Sequence, residues 1–162
     1  MLFRSWDIDL QNTQTAISDE EAESQLLELL HTSVHRRLRS DVPIGCSLSG
    51  GLDSSTLATL ISQQQTEPLQ TFTAIFPGFE RNEEQASNTI AEQLHSRHHR
   101  IVLEDTDWFE TGLQCMKQQD EPIASSSAFA QFAVYRAIAV TGVRVVLDGQ
   151  GADETLAGYE RY

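Results

Sequence analysis

The sequence predicts an α/β fold: a parallel sheet flanked by helices on both faces. Three observations predict it. Apolar runs recur at 44–48, 70–76, 100–103 and 143–147, helix-like stretches separate them, and the runs are apolar throughout instead of alternating. A strand with one wet face alternates polar and apolar residues, whereas a strand buried between two helical layers does not. The βαβα order then calls for crossovers and a covered sheet.

In chain order, residues 1–17 are weakly periodic, with Trp6–Leu10 as a candidate strand, and read as a connector; the domain proper spans 18–162. Ser18 followed by Glu21 is a capping box, and Ala22, Leu26, Leu29, Leu30, Val34 and Leu38 repeat at helical spacing, so a helix is expected over about 19–39. The basic cluster at its end, His35-Arg36-Arg37-Leu38-Arg39, complements the helix dipole. Further helices are expected at about 54–64, 83–95, 106–118 and 128–141. Asn82 and Asp105 are candidate N-caps, and Gly142 is the stop of the last of these helices. Trp108, Phe109, Phe129 and Phe132 are assigned to the core.

Composition narrows the partners. With 24 acidic and 11 basic residues, the net charge of −13 disfavours nucleic acid or an anionic membrane, both of which need clustered cations. No stretch reaches the roughly 18–20 apolar residues of a spanning helix, and Met1-Leu2-Phe3-Arg4 lacks a signal-peptide pattern, so a cytoplasmic address is expected. Cys46 and Cys115 are too few and too distant in sequence for a disulfide framework or a metal knuckle, and read as reduced packing residues. His95, His98 and His99 could be drawn as a metal cluster, but adjacent residues on a strand face opposite ways.

Two glycine loops carry the chemistry. Ser49-Gly50-Gly51-Leu52-Asp53-Ser54-Ser55 lies between the first apolar run and a helix, where glycines permit close backbone approach and a helix N-terminus favours anions. It is not a Walker A loop, because no lysine follows. Asp53 would repel phosphate unless a divalent cation stood between them, which implies Mg²⁺. The fourth run leads into Asp148-Gly149-Gln150-Gly151-Ala152-Asp153-Glu154 and then Gly158-Tyr159. In a parallel sheet the two loops can share one rim, bringing Asp153 towards Asp53. Ser125-Ser126-Ser127 is either a lining of the substrate cleft or a helix cap.

These residues, together with Ser40-Asp41-Val42-Pro43-Ile44-Gly45, Leu69 to Thr73, His98-His99 and Asp120-Glu121-Pro122, resemble the synthetase domain of the glutamine-hydrolysing asparagine synthetases, in the PP-loop ATP pyrophosphatase superfamily. The resemblance covers roughly residues 20–162. It implies an adenine-nucleotide α-hydrolase-like sheet. Ser49, Gly50, Gly51, Leu52, Asp53, Ser54 and Ser55 would surround the pyrophosphate of ATP, with Leu48, Ala74, Asp148 and Gly149 completing the nucleotide site. It also implies Mg²⁺ on Asp53 and Asp153, and a catalytic set of Asp53, Asp153 and Gln150. The implied reaction converts the aspartate side-chain carboxylate to an acyl-adenylate, releases pyrophosphate and lets ammonia attack. A homodimer is compatible with the resemblance.

The sequence departs from the family in three ways. Leu2 stands where the glutaminase half begins with cysteine, so residues 1–17 read as the crossing from a missing glutaminase domain that would supply ammonia from glutamine. Asp148-Gly149-Gln150 replaces the usual Ser-Gly-Glu, and an amide cannot be a general base. Family members carry a basic residue downstream of Gly-Tyr, whereas this chain ends at Tyr162 with Lys117 as its one lysine, which reads as a C-terminal truncation. The alternatives left open are a PP-loop ligase on another carboxylate, of β-lactam or peptide cyclase type, and a catalytically incomplete ATP-binding fragment.

Overall fold

The computed structural model describes residues 16–78, 82–103, 108–123 and 125–159. Four parallel strands, β1 (Ile44–Ser47), β2 (Gln70–Ile75), β3 (Arg97–Val102) and β4 (Val145–Leu147), lie in the order β3-β2-β1-β4. Cys46 of β1 is paired with Thr71 on one side and with Leu147 on the other. The helices are α1 (Asp19–Arg37), α2 (Leu52–Ser62), α3 (Glu84–Gln93), α4 (Trp108–Gln119), α5 (Ser126–Ala139) and α6 (Ala152–Leu156). None among the described residues is long and apolar enough to cross a membrane.

The order fixes where a ligand can enter. From β1 the chain crosses to β2 and β3 on one side, and then returns past β1 to β4 on the other. Loops leaving β1 and β4 therefore depart to different faces, which opens a crevice at their C-terminal ends.

Both faces are covered, as expected. On one, Cys46, Leu48 and Leu147 pack with Val34 of α1, Ala58 and Ile61 of α2 and Ala91 of α3; on the other, Phe72, Ala74 and Val146 pack with Val134 and Ile138 of α5. Gly45 belongs to the second face, where a Cβ would sit 2.7 Å from the Phe72 ring, so the aromatic occupies the space that a side chain would need. Completely removing Phe72 and Leu48 from water contributes about 1.5–3 kcal/mol each.

Several boundaries and side chains differ from expectation, each for a tertiary reason. Strand β3 begins at Arg97, three residues early. Its polar start is held by neighbours: the His98 Nδ1 lies 2.9 Å from the Thr71 hydroxyl, His99 Nε2 lies 3.2 Å from Gln70 Oε1, and the His99 ring stacks on Phe72. These contacts employ the histidines in packing, and no group of three or more potential metal ligands occurs among the described residues. Ser18 and Glu21 do form the reciprocal capping box, yet residues 19–30 of α1 are exposed and only its C-terminal end reaches the core. Leu29 is 67% exposed. Asn82 does not cap α3: Glu83 holds that position, and the Asn82 amide donates to the Glu84 carboxylate. Phe109 is no core residue, being 78% exposed, whereas Trp108 stacks on Phe76 and meets Phe129 edge-on. Gly142, at φ +86°, does follow the end of α5. The Trp6–Leu10 strand and the Asp105 cap lie outside the described residues.

His98 is half-buried in a small polar chain. If the Ser96 hydroxyl donates to Ala91 O, then Thr71 donates to Ser96 and accepts from His98 Nδ1–H. That leaves Nε2 as a bare, buried acceptor. Protonating it would bury an unpartnered donor, and burial, followed by the neighbouring His99, lowers the His98 pKa below its usual value. With the folded value depressed, the unfolded chain binds the proton first. Stability attributable to His98 is therefore intact above about pH 6.5 and declines as pH falls from there through the folded value. Urea titrations at stepped pH should show this slope in the wild type and a flatter one in His98→Asn; equal slopes would contradict a lowered His98 pKa.

Candidate functional site

At the end of β1 the chain stays in the sheet for one more residue, with Leu48 N–H donating to Phe72 O at 2.8 Å and the Thr73 hydroxyl donating to Leu48 O. The turn then closes on itself. Ser49 N–H donates to Ser54 Oγ at 3.2 Å, the Ser49 and Ser54 hydroxyls are 2.8 Å apart, and Gly51 N–H donates to Ser49 Oγ at 3.2 Å. Gly50 adopts φ +82°, and a Cβ there would lie 2.6 Å from both Ala86 Cβ and Ser87 N of α3. Only glycine satisfies both the angle and the space.

Helix α2 starts from Gly51, which has no side chain to cap it. The N–H groups of Leu52, Asp53 and Ser54 have no partner within the helix, and the positive end of its dipole is left open. The second loop docks on this end. A Cβ at Gly149 would be 3.1 Å from Ser54 N and 3.3 Å from Asp53 Cβ, so the β4 loop lies directly against the first turn of α2. Gly151 at φ +94° then starts α6. The Asp153 carboxylate packs on Gly158, whose N–H donates to Asp153 O at 3.0 Å. The Tyr159 hydroxyl donates to Glu154 Oε1 at 2.6 Å and holds that exposed carboxyl below the usual range.

Between the loops and α5 lies a cavity of about 730 Å³. Of the residues singled out in the sequence, Leu48, Ser49, Asp53, Ser54, Ala74, Asp148, Gly149, Gln150 and Asp153 line it. Gly50, Gly51, Leu52 and Ser55 do not: Gly50 is turned to α3, Leu52 is 84% exposed, and the Ser55 hydroxyl is buried without a partner. Sequence reasoning missed Glu83 and the wall formed by Ala128, Gln131 and Val134, while Ser127 of the serine triplet does line the cavity. Ser125 is the α5 cap.

The lining has a distinctive charge. Among the described residues, five acidic ones line the cavity, Asp53, Glu83, Asp148, Asp153 and Glu154, and no Lys, Arg or His does. Two carboxylates about 4 Å apart repel by roughly 4 kcal/mol at an effective dielectric near 20, so an oligophosphate needs cations to enter such a space. No three carboxylates converge as a ready cage among the described residues. A donor set of one or two carboxylates suits a magnesium ion whose remaining ligands are phosphate oxygens and water. Behind the wall, burial and then the Asp148 charge push the Cys46 thiol up to about 12, which makes it a packing group and not a nucleophile.

Substituting Gly50→Ala should cost roughly 2–4 kcal/mol, because it adds left-handed strain to a backbone clash with α3. Urea denaturation reads this directly. A loss below about 0.5 kcal/mol, the size of an ordinary surface substitution, would show that the turn is not clamped.

Comparison with known proteins adds the family. The asparagine synthase family model matches residues 25–162. A Methanocaldococcus jannaschii protein assigned as asparagine synthetase (glutamine-hydrolyzing) is 35% identical over 133 residues, which are 82% of this chain and 25% of that protein. Asparagine synthetase (glutamine-hydrolyzing) of Zea mays is 32% identical over 146 residues, covering 83% of this chain and 24% of its own length. The chain thus spans about a quarter of the length of these curated relatives. In fold it is similar to an NH3-dependent NAD synthetase from Campylobacter jejuni, with a TM-score of 0.55 at 17% identity over 84% of this chain and 60% of the other. An NMN synthetase from Francisella tularensis gives 0.51 at 19% identity over 88% and 59%. By the extent of the family match and its identity to these relatives, the chain belongs to the asparagine synthase family.

Proposed function

We propose that this chain is the nucleotide-binding part of an ATP-dependent, amide-forming ligase of the asparagine synthetase type. The observation that carries the reading is the seating of Gly149 on Asp53 and Ser54, which joins both glycine loops, an uncapped helix N-terminus and the Asp53 and Asp153 carboxylates around one cavity. Ser49, Ser54 and the α2 amides hold the pyrophosphate portion of ATP, and Leu48, Ala74 and Gly149 flank the adenosine.

The chemistry follows from these parts. An unactivated carboxylate is a poor acylating agent, so an aspartate side-chain oxygen attacks the α-phosphorus, pyrophosphate leaves, and ammonia displaces AMP from the acyl-adenylate. Negative charge grows on the departing pyrophosphate, and the fixed amide and hydroxyl donors of the first loop stabilise it where it forms. Asp53 and Asp153 are the residues that would hold Mg²⁺, which when bound neutralises phosphate charge and polarises phosphoryl oxygens. Gln150 lines the site as a neutral hydrogen-bonding group, without a general-base role.

Among the described residues the lining holds no cation to meet the leaving pyrophosphate, and this favours a second reading: nucleotide binding without turnover. Ammonia derived from glutamine, a glutaminase partner domain and a cytoplasmic setting belong to the same proposal and are supported by the family and by the relatives' greater length.

Mg²⁺-ATP at about 100-fold above its Kd should stabilise the chain by about 2.7 kcal/mol and raise its Tm by roughly 5–10 °C. ATP with EDTA should give little of this shift, and Asp53→Asn should remove most of it. An unchanged shift in Asp53→Asn would contradict the metal assignment; no shift in the wild type would contradict nucleotide binding.

A further inference from the structure

Of the five cavity carboxylates, Glu83 is the one that neither glycine loop contributes. It stands at the start of α3, whose next turn is clamped to Gly50 through Ala86 and Ser87. Glu83 therefore lies beside the first loop, on the side away from the β4 loop. Its main chain is used, with Glu83 O accepting from Ser87 N–H at 2.9 Å. Its carboxylate makes no side-chain cap and has no hydrogen-bond or ion-pair partner among the described residues. The adjacent Glu84 is different: it is paired with Arg100 and receives the Asn82 amide. Of two neighbouring acids at one helix start, one is consumed by structure and the other is left facing the cavity.

The charge of the cavity says what such a group can hold. Among the described residues, the lining holds no Lys, Arg or His to pair with a substrate carboxylate. An acidic amino acid has a single cationic group, its α-ammonium, and a carboxylate is its natural partner in a charge-assisted hydrogen bond. We propose that Glu83 is the specificity-determining residue that binds the α-ammonium of the amino-acid substrate and so orients its side-chain carboxylate towards the nucleotide. This rests on the ligase reading above. Glu83 is exposed overall, and partial desolvation raises its pKa; an incoming ammonium would supply the partner that it lacks.

The test is a calorimetric titration of the full chain with L-aspartate, and separately with succinate, which keeps both carboxylates but lacks the ammonium. Each is run with and without Mg²⁺ and a non-hydrolysable ATP analogue. Aspartate should bind at least about tenfold more tightly than succinate, and Glu83→Gln should erase that difference, since a hydrogen bond to a charged group is typically worth about that factor. The Glu84→Gln control, which loses the Arg100 pair, should retain the preference. Equal affinity for aspartate and succinate, no aspartate binding in either condition, or a preference that survives Glu83→Gln would each overturn the proposal. So would loss of analogue binding in Glu83→Gln, which would make Glu83 a metal ligand. Failure of the ligase reading is distinct, because it appears as absent analogue binding in the wild-type chain.

Discussion

The site depends on one close approach of main chain to main chain. Gly149 rests on the first turn of α2 at a separation where a Cβ would be crowded, 3.1 Å from Ser54 N, and this contact brings two strand-to-helix loops together as walls of a single cavity. Sheet order makes the contact attainable, since β4 returns beside β1 after the chain has crossed to β2 and β3. Glycine makes it sterically allowed. On the opposite side Gly50 seats α3 against the same turn, so the Ser49–Gly51 segment is gripped from both flanks. A loop fixed in this way presents its donors without further ordering when a ligand arrives, and preorganised donors are what an electrostatic role requires.

Charge then decides what the cavity accepts. Carboxylates from three elements converge on a space that also offers an open helix N-terminus, two opposite preferences within a few residues. A bare phosphate chain is attracted by the helix amides and repelled by Asp53, Asp148 and Asp153. A phosphate chain that brings a divalent cation satisfies both, and so does a substrate carrying an ammonium group. Under the proposed function, the acidic lining would select cation-bearing ligands, in keeping with the excess of acidic over basic residues in the whole chain.

Much of this was legible in the residues themselves. The glycine loops announced their positions because glycine and serine at a strand-to-helix junction have a local meaning, and each strand left an apolar run in the sequence, though β3 only in its C-terminal half. What escaped was tertiary. His98 and His99 do not look like strand residues until Thr71, Gln70 and Phe72 are beside them. Phe109 looks like core on composition alone, but it lies on the outer side of α4. Glu83 and the α5 wall carry no motif, since their place in the cavity comes from a helix docking on Gly50 and from a crossover across the sheet. Residues joined by long-range packing have no shared period for a reader of sequence to find.

The chain belongs to the asparagine synthase family, has the α/β fold and spans about a quarter of the length of its curated relatives. The central claim is narrower: both glycine loops grip one magnesium-bearing nucleotide. An amide-resolved NMR titration with Mg²⁺-ATP tests it most directly. Resonances of Ser49–Ser55 and of Asp148–Asp153 should move together, with one common Kd. Movement confined to one loop, or two loops reporting different affinities, would contradict the account.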